Sequence, residues 1–306
     1  MEQVERIDTV NEYNKYAGVD TLHPLVSVIN FDDVAPITHF RRRIDIYAVF
    51  LKDVKCGDMV YGCQSYDYEN GTLVFVAPGQ VYGIDSKGIS IKPSGYGLVF
   101  HPDLIAGTHL AKTIKDYTFF SYEVNEALHL SKKERKTIVD CLKKIQEEIE
   151  QNIDKHSKTL IVSNIELFLN YCQRFYDRQF ITRSIANKDI LTRFENLLND
   201  YFKADKGIEL GLPTVAYCAE ELHLSANYFG DLIKKETGST ALDYIQSRLI
   251  DEAKTRIFEH TKTINDVATE LGFKYQQHFT RMFKQKVGQT PNEFRGFVEL
   301  RRFYCK

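Results

Sequence analysis

One stretch near the carboxy-terminal end concentrates polar side chains at helical spacing. Residues 272–287 contain four cations and no acid. Residues three and four apart lie on one face of a helix, so a single face would collect most of these polar groups. Amide side chains can bond an adenine edge, arginine a guanine edge, and threonine a thymine methyl group. The pattern therefore predicts base contacts by Gln276, Gln277, Thr280 and Arg281.

A second polar face occurs about fifty residues earlier, with Asn227 and Asp231 at helical spacing. Asparagine can bond adenine, and an aspartate can accept from cytosine N4 although phosphate repels it. Hydroxyl and lysine side chains suit phosphate contacts, which position a protein on a duplex without reporting its sequence. Phosphate contacts are therefore predicted for Ser225, Lys234, Lys235, Lys274 and Lys284, and Lys286 is also suited to them.

The two polar faces belong to two copies of one sequence pattern. Four positions of the second copy follow their counterparts by fifty residues and two follow by forty-nine, so the one-residue difference falls in a turn. Such a repeat indicates a duplicated unit, and each copy has the layout of a helix-turn-helix. The matching pairs are Phe229 and Phe279, Ile233 and Phe283, Lys234 and Lys284, Gly238 and Gly288, Ala219 and Ala268, and Leu222 and Leu271.

A single helix is predicted between the two copies. The first unit is expected at about 214–238, the linker helix at about 240–258 with Leu242 on its buried side, and the second unit at about 263–288. Eighteen residues at about 1.5 Å each give a helix of roughly 27 Å, and successive major-groove faces of B-DNA are ~34 Å apart. A rigid helix of that length could hold the second helix of each helix-turn-helix unit in adjacent major grooves.

These motifs resemble the DNA-binding domain of the AraC family of bacterial transcriptional regulators. The resemblance implies a regulator that binds double-stranded promoter DNA and acts with RNA polymerase, usually as an activator. The family places base-reading residues early in each second helix, which adds Gly230 in the first copy. Since glycine has no side chain to contact a base, the second copy is the main reader, or Tyr228 reads beside Asn227. The motif residues are Ile264, Val267, Ala268, Leu271, Gly272, Phe273, His278, Phe279, Thr280, Arg281, Phe283, Lys284, Gly288, Thr290, Pro291, Phe294 and Arg295.

The first 125 or so residues have the pattern of a small β barrel or sandwich, with short β-branched and aromatic runs between turns. From about residue 131 the period becomes helical, starting with a capping box of Ser131 and Glu134. This layout is similar to the cupin-like barrel and dimerisation helices of the same family. The predicted fold is α+β and multidomain: a domain over 1–180 with a cupin-like β-barrel at about 20–125 and helices at about 131–180, a linker at 181–187, and an all-α domain of two helix-turn-helix units over 188–306.

The family likeness implies that the amino-terminal domain binds a small-molecule effector and forms a homodimer. Arginines at 41–43 could grip an anion, although such a run on an exposed strand edge more often prevents mispairing. An apolar stripe on the first helix is the candidate dimer interface, with packing onto its own domain as an equal alternative. The pocket candidates are Arg42, Tyr47, Tyr61 and Tyr82, and the stripe is Ile138, Leu142, Ile145 and Ile149.

Composition limits the function classes. Forty Lys and Arg against 42 Asp and Glu leave a net charge of −2, which argues against a polyanion-coating protein but allows a local basic patch. The chain has no P-loop, dinucleotide fingerprint or nucleophile motif, so no catalytic residue, metal or cofactor is predicted and an enzyme is not expected. The first residues lack a signal-peptide layout, and no apolar run reaches the ~18–20 residues of a membrane helix. A cytoplasmic protein without membrane contact is expected.

Two other classes stay open. A cupin-type metalloenzyme would need two or three histidines and a carboxylate around a metal. The histidines of the β-rich region show no HxH pair and no His-x-x-x-Glu spacing; they are His23, His39, His101 and His109. A ligand-independent regulator would show no effector response, and a pure scaffold would show no salt-dependent affinity for DNA.

Overall fold

A computed structural model of the chain describes residues 5–38, 40–53, 58–61, 64–66, 71–85, 89–122, 126–182, 184–259 and 262–296; of 58–61, 64–66, 85, 182 and 184–188 it describes the backbone alone. The chain divides into two compact units, Met1–Thr182 and Arg183–Lys306. The first contains two β-sheets and several helices, and the second is helical. The fold is therefore a mixed α+β one, as the sequence pattern predicts.

Unit 1 contains two five-stranded sheets in the described residues. One has the strand order β1-β3-β8-β5-β6 and the other the order β10-β7-β4-β9-β2. All neighbours are antiparallel except β1 and β3. The strands are β1 (Glu5–Ile7), β2 (Val26–Asn30), β3 (Phe40–Ile44), β4 (Tyr47–Lys52), β5 (Asp58–Tyr61), β6 (Gln64–Tyr66), β7 (Thr72–Val76), β8 (Gln80–Asp85), β9 (Gly95–Phe100) and β10 (Leu128–His129).

No strand pairing in the described ranges joins the two sheets, so the closed barrel of the sequence prediction is not observed there. One buried cluster includes residues of both sheets, among them Ile44, Tyr82 and Phe50. Strand β3 pairs on both sides, with β1 and β8. Its arginines at 41–43 therefore do not protect an exposed edge, which corrects that explanation of the run.

The second sheet is covered on both faces, which explains its continuous apolar strands. Every residue of β7 is buried. On one side lies the shared cluster with Val74 and Val76, and on the other Phe75 contacts Phe119 and Tyr176 at ring-centroid distances of 4.4 and 6.1 Å. A strand buried on both faces has no reason to alternate apolar and polar residues.

The helices of unit 1 pack around these sheets. The capping box of Ser131 and Glu134 begins α4, as predicted, because each residue satisfies a backbone N–H of the other. The helix then packs on α5 and on strands β2 and β9. The helices are α1 (Val10–Ala17), α2 (Pro102–Ile105), α3 (His109–Thr113), α4 (Lys132–Glu150) and α5 (Ser157–Thr182).

The predicted dimer stripe faces the interior of unit 1. Its four side chains, at most 7 % exposed, are Ile138, Leu142, Ile145 and Ile149. Residues that fill the core of their own unit cannot also form the surface of a dimer. The stripe is therefore a packing surface, and its prediction as the dimer interface is wrong.

Unit 2 consists of helices with defined ends. Thr214, Ser225, Thr240 and Thr263 each cap a helix by accepting a backbone N–H. Residues 184–187, predicted as part of a linker, are helical. The helices are α6 (Ser184–Lys203), α7 (Gly207–Leu210), α8 (Val215–Glu221), α9 (Ala226–Thr237), α10 (Ala241–Ile257), α11 (Ile264–Glu270) and α12 (Gln276–Val287).

Candidate nucleic-acid interface

Each repeat forms two short helices around a buried aromatic residue. In α12, Phe279 and Phe283 are fully buried and their ring centroids lie 5.7 Å apart. In α9, Phe229 and Ile233 are also fully buried, and Phe194 of α6 meets the Phe229 ring at 4.9 Å. Residues four apart share a face, so these pairs fix which face of each second helix points outward.

The first helix of each unit allows close approach of the second. Ala219 in α8 and Ala268 in α11 are each 1 % exposed. Each second helix ends at a glycine with a left-handed backbone, φ 74° at Gly238 and 85° at Gly288. Glycine is strongly favoured in this left-handed conformation, because glycine has no Cβ that would clash with the backbone. The duplicated glycines thus stop both second helices at equivalent points.

The outward face of α12 collects the predicted contact residues of the second unit. In the part of the chain that the structure describes, no hydrogen bond or ion pair engages the side chains of Gln276, Gln277 or Arg281. Helix α12 contains no acidic residue that would repel an anion, and Lys284 and Lys286 lie in its last turn. Five side chains border one shallow concave surface: Gln276, Gln277, Thr280, Arg281 and Lys284.

The first unit offers fewer groups on the equivalent face. Asn227 and Lys234 are exposed and Asp231 is half-buried. Nothing lies within 4 Å of where a Cβ on Gly230 would be, so the face has a gap at the position matching Thr280. Tyr228, the alternative base reader, is only 5 % exposed. Its side chain belongs to the core, and this prediction is wrong.

The predicted phosphate contacts have different surroundings. Lys234, Lys235, Lys274 and Lys284 are exposed. The Ser225 hydroxyl accepts the backbone N–H of Tyr228 and so caps α9. Lys286, also considered, forms an ion pair of 3.1 Å with Asp243 of α10. Its charge is therefore partly used in holding α12 to the linker helix.

Two residues at the start of α12, Tyr275 and His278, were not predicted as contact residues from the sequence. Tyr275, which precedes the helix, is 57 % exposed, with the Lys274 ammonium 5.8 Å from its ring centroid and the His278 ring 5.7 Å away. An exposed aromatic ring can stack or pack against a ligand, but a tyrosine beside a buried phenylalanine suggests core in sequence alone. Only the three-dimensional position shows that Tyr275 and His278 extend the polar face.

The linker helix α10 has the predicted buried side, with one exception. Ile245, Leu249 and Ala253 are at most 2 % exposed. Leu242, expected beside them, lies in the first turn of the helix and is 52 % exposed. Seventeen residues at about 1.5 Å each give a helix of roughly 26 Å.

Unit 1 contains a cavity of about 90 Å³ between its sheets and α1. Arg42 and Tyr82, two of the predicted pocket residues, line it. The Arg42 guanidinium lies 4.1 Å from the Tyr16 ring centroid, and its Nε donates to Glu5 at 2.9 Å. Burial raises the pKa of Tyr82 to about 12, and the Tyr13 hydroxyl bonds to it. The cavity thus combines aromatic walls, neutral phenols and a cation.

The other two predicted pocket residues have different positions. Tyr47 packs between Phe100 and Phe120, at ring-centroid distances of 4.9 and 5.1 Å. Successive strand residues point to opposite faces, so Tyr47 lies away from the cavity that Phe50 lines. Tyr47 is therefore not among the residues that line this cavity. The side chain of Tyr61 lies outside the described residues.

The described residues show no set of three histidine, cysteine or carboxylate groups that could hold a metal ion. Cys141, Cys172 and Cys218 are buried free thiols, and burial raises the pKa of Cys218 to about 12. A raised pKa lowers the thiolate fraction and hence the reactivity. No described helix is long and apolar enough to cross a membrane.

Comparison with known proteins identifies unit 2, which contains both helix-turn-helix units. Residues 218–296 match the family model of a helix-turn-helix domain, HTH_18. The chain is 32% identical over 143 residues to the transposon Tn10 TetD protein of Escherichia coli, covering 47% of this chain and 91% of that protein. It is 31% identical over 143 residues to the uncharacterized HTH-type transcriptional regulator YfiF of Bacillus subtilis, covering 47% of this chain and 42% of that protein.

A solved structure of a transcriptional regulator with an AraC-type DNA-binding domain, from Chromobacterium violaceum, is 20% identical, covers 37% of this chain and 94% of that one, and has a TM-score of 0.31. The chain spans less than half the length of the first curated relatives it matches, 42%, 11% and 34%. The match to the TetD protein is 32% identical and covers 91% of that protein. Together with the matching helix-turn-helix model, it shows that the chain belongs to the AraC family of transcriptional regulators.

Proposed function

We propose that the chain is a sequence-specific, double-stranded-DNA-binding transcription regulator in which α12 is the main reader. The observation that carries this proposal is the concave polar surface on α12, bordered by two amides, a hydroxyl, a guanidinium and an ammonium group. Phe279 and Phe283 are fully buried behind it, so the helix presents this face outward. A helix with such a face fits the major groove, where each base pair shows a distinct pattern of donors and acceptors.

The individual roles follow from side-chain chemistry. Arg281 suits a guanine O6 and N7 edge, Gln276 and Gln277 suit adenine, and Thr280 suits a thymine methyl group. Lys274 and Lys284 suit phosphates. In the first unit, Asn227 and Asp231 are the base contacts that remain after Tyr228 is removed. Because Gly230 leaves a gap, α9 contributes fewer base contacts and more backbone contacts through Ser225, Lys234 and Lys235.

The proposal is tested by selecting bound duplexes from a randomised DNA library with the full chain. Enrichment of a common sequence, and an affinity for that sequence well above that for an unrelated duplex at the same salt, would support it. Specific binding typically exceeds non-specific binding by about 10³-fold or more. Binding that depends on salt but shows no sequence preference would reduce the proposal to non-specific DNA binding, and no binding would favour the scaffold.

Replacing Lys284 by alanine is expected to weaken binding to every duplex alike. Each phosphate contact releases a counterion, so the slope of log affinity against log salt should fall by about 1. The measurement is a salt titration of fluorescence anisotropy with a selected duplex and an unrelated one. Lys254→Ala is the matched control, because Lys254 pairs with Asp251 on α10 at 3.0 Å. An unchanged slope in Lys284→Ala would remove this residue from the interface.

Unit 1 is proposed to act as the cupin-like sensor of the regulator, with an effector in the cavity lined by Arg42 and Tyr82. Aromatic and aliphatic walls favour a mostly apolar molecule, since burying apolar surface supplies the binding energy. The Arg42 guanidinium forms an ion pair with Glu5, whose side chain is half exposed. The remaining N–H groups of Arg42 can bind an anionic group of a ligand. A small apolar anion therefore fits the chemistry of the cavity.

Benzoate is a suitable probe for this cavity, with benzyl alcohol as its neutral counterpart. Benzoate is expected to raise the thermal midpoint of unit 1 more than benzyl alcohol does, and Arg42→Met should reduce its affinity about tenfold or more through loss of a charged hydrogen bond. Differential scanning fluorimetry of the full chain measures both. Tyr47→Phe is the control and should respond like the unchanged chain. Equal responses to both probes in all three proteins would contradict an anion site.

The regulator is further proposed to be a homodimer that contacts RNA polymerase as an activator, the arrangement that family membership favours. The stripe on α4 is excluded as the interface by its burial in unit 1. Effector binding would then act by shifting which DNA half-sites the two subunits can hold together. Sedimentation equilibrium of the full chain with and without a selected duplex tests the dimer, and transcription from a promoter containing that sequence separates activation from repression.

A further inference from the structure

Among the described residues of unit 2, the most buried charged side chain lies at the end of the linker helix. Arg256 is in the last turn of α10, and its side chain is only 8 % exposed. Its Nε donates to Glu252 at 2.8 Å, and Nη1 donates to Asp205 at 2.5 Å and to Glu270 at 3.0 Å. Its Nη2 donates to the carbonyl oxygen of Phe202. The guanidinium therefore bonds to four groups at once, which a planar fork of N–H donors can do and an ammonium cannot.

The partners of Arg256 come from three different segments. Asp205 follows α6 and has a left-handed backbone, φ 49°. Glu270 is the last residue of α11, the first helix of the second helix-turn-helix, and also pairs with Lys262 at 2.9 Å. Glu252 belongs to α10 itself. One buried cation thus connects the end of α6, the linker helix and the second helix-turn-helix. This cluster lies away from the proposed DNA-contact face of α12.

A backbone contact lies beside this ion cluster. A Cβ on Gly272, in the turn between α11 and α12, would be 2.1 Å from the carbonyl oxygen of Gly211, and the φ of Gly272 is +97°. A Cβ on Gly207 would be 2.6 Å from the carbonyl oxygen of Glu270. Two backbones can approach this closely only where side chains are absent. The segment 207–211 is therefore seated directly on the turn of the second unit.

The same segment also contacts the first helix-turn-helix of unit 2. The Tyr201 hydroxyl donates to the carbonyl oxygen of Gly211 at 2.9 Å. The Tyr201 ring lies 5.3 Å from the ring of Tyr217, which belongs to α8. Tyr201 is 1 % exposed, so this contact is part of the core. Residues 201–211 therefore touch both helix-turn-helix units, independently of α10.

We propose that residues 201–211 and Arg256 form a rigid joint that sets the position of α12 relative to α9. Arg256 is then a positioning residue: it touches no DNA but determines which separation between two DNA subsites the protein accepts. A protein joined by one helix alone could pivot at the end of that helix, whereas two connections remove this freedom. The part of the proposal that concerns DNA rests on the proposed function, and the rigidity of the joint does not.

Hydrogen exchange of the full chain, followed by mass spectrometry, tests the joint without DNA. In Arg256→Met, amides of residues 264–287 are expected to exchange about tenfold or more faster, while those of 215–237 keep their rates, because local opening becomes easier on one side only. Arg248→Met is the matched control, since Arg248 lies on the same helix and donates to Asn199 at 2.7 Å. Unchanged exchange rates in Arg256→Met, or equally faster exchange in both helix-turn-helix units, would overturn the proposal.

A second pair of variants tests the backbone contact. Gly272→Ala places a Cβ against Gly211, whereas Gly288→Ala places one in open space at a similar φ of +85°. Both substitutions strain the backbone, so their difference isolates the joint. Faster exchange of 264–287 in Gly272→Ala than in Gly288→Ala is expected. Equal exchange in the two variants would show that the contact does not hold the second unit.

DNA of altered spacing tests the consequence. Duplexes selected by the unchanged chain are remade with one base pair inserted or deleted between the two subsites. The unchanged chain should lose about tenfold in affinity, as for a mismatched pair, and Arg256→Met or Arg256→Lys should lose less than about threefold. A spacing preference as sharp in both variants as in the unchanged chain would overturn the positioning role. If the unchanged chain selects no sequence, the proposed function fails, while the exchange result still decides the joint.

Discussion

Replacing Arg281 by alanine is expected to weaken binding to a selected duplex by about 1–3 kcal/mol and to relax the base preference at one position. The physical reason is geometric: a guanidinium can bond two acceptors of guanine at once, and Arg281 lies on the outward face of α12 between Gln277 and Lys284. Loss of those bonds should leave the other positions of the site unchanged. The measurement is a competition titration in which each base of the selected duplex is varied in turn.

The control for this prediction is Arg193→Ala, which removes an exposed arginine from α6 and keeps both second helices intact. Its base preferences should equal those of the unchanged chain. A uniform loss over all positions in Arg281→Ala would instead identify Arg281 as a phosphate contact. An affinity and preference equal to those of the unchanged chain would show that α12 does not read the sequence through this residue.

Phe279→Ala is expected to destabilise the second helix-turn-helix by about 3–5 kcal/mol, because a large buried ring is lost and a cavity remains. The Phe279 ring is fully buried, 5.2 Å from the Phe273 ring and 5.7 Å from the Phe283 ring. The amides of α11 and α12 should then exchange hydrogen far faster. Binding to a selected duplex should be lost at temperatures where unit 1 is still folded.

Phe279→Leu is the graded comparison for this prediction, since a smaller loss of volume should cost less than alanine does. Circular dichroism with urea, followed together with hydrogen exchange of each unit, separates the two parts of the chain. If Phe279→Ala exchanged like the unchanged protein in α11 and α12, the aromatic cluster would not be what holds α12 in place.

The duplicated helical unit could be predicted from the sequence because its signals are local and repeated. Phe229 and Phe279 recur at a fixed offset, and each is fully buried in the structure. Capping residues and terminal glycines mark the helix ends within a few residues of chain. The polar face of α12 follows from the same spacing, since burying one side of a helix leaves the other side for solvent or a ligand.

Predictions that depended on which neighbour covers a residue were less successful. Tyr228 and Tyr47 look like surface or pocket tyrosines in sequence, yet Tyr228 is buried and Tyr47 packs against Phe100, which is distant in the chain. The α4 stripe shows the same limit: amphipathicity indicates that a face is buried and does not indicate against what. Leu242 fits the period of α10 but lies in its first turn, where no neighbour covers it.

The ion cluster of Arg256 could not be predicted from sequence for a related reason. Its carboxylate partners lie at positions 205, 252 and 270, and only Glu252, four residues earlier on the same helix, has helical spacing to it. The close contact of Gly207 and Gly272 with backbone likewise depends on tertiary approach. Such features decide how two locally predictable units are placed, which local patterns do not encode.

Gly230 leaves open space on the outward face of α9. It is set in the middle of α9, and a Cβ there would meet nothing within 4 Å. Glycine inside a helix lowers its stability by roughly 0.5–1 kcal/mol relative to alanine. Replacing Gly230 by alanine would therefore add a side chain to the outward face of α9 and strengthen the helix at once. If α9 contacts DNA as proposed, such a substitution adds a contact at this position without lowering the stability of the helix.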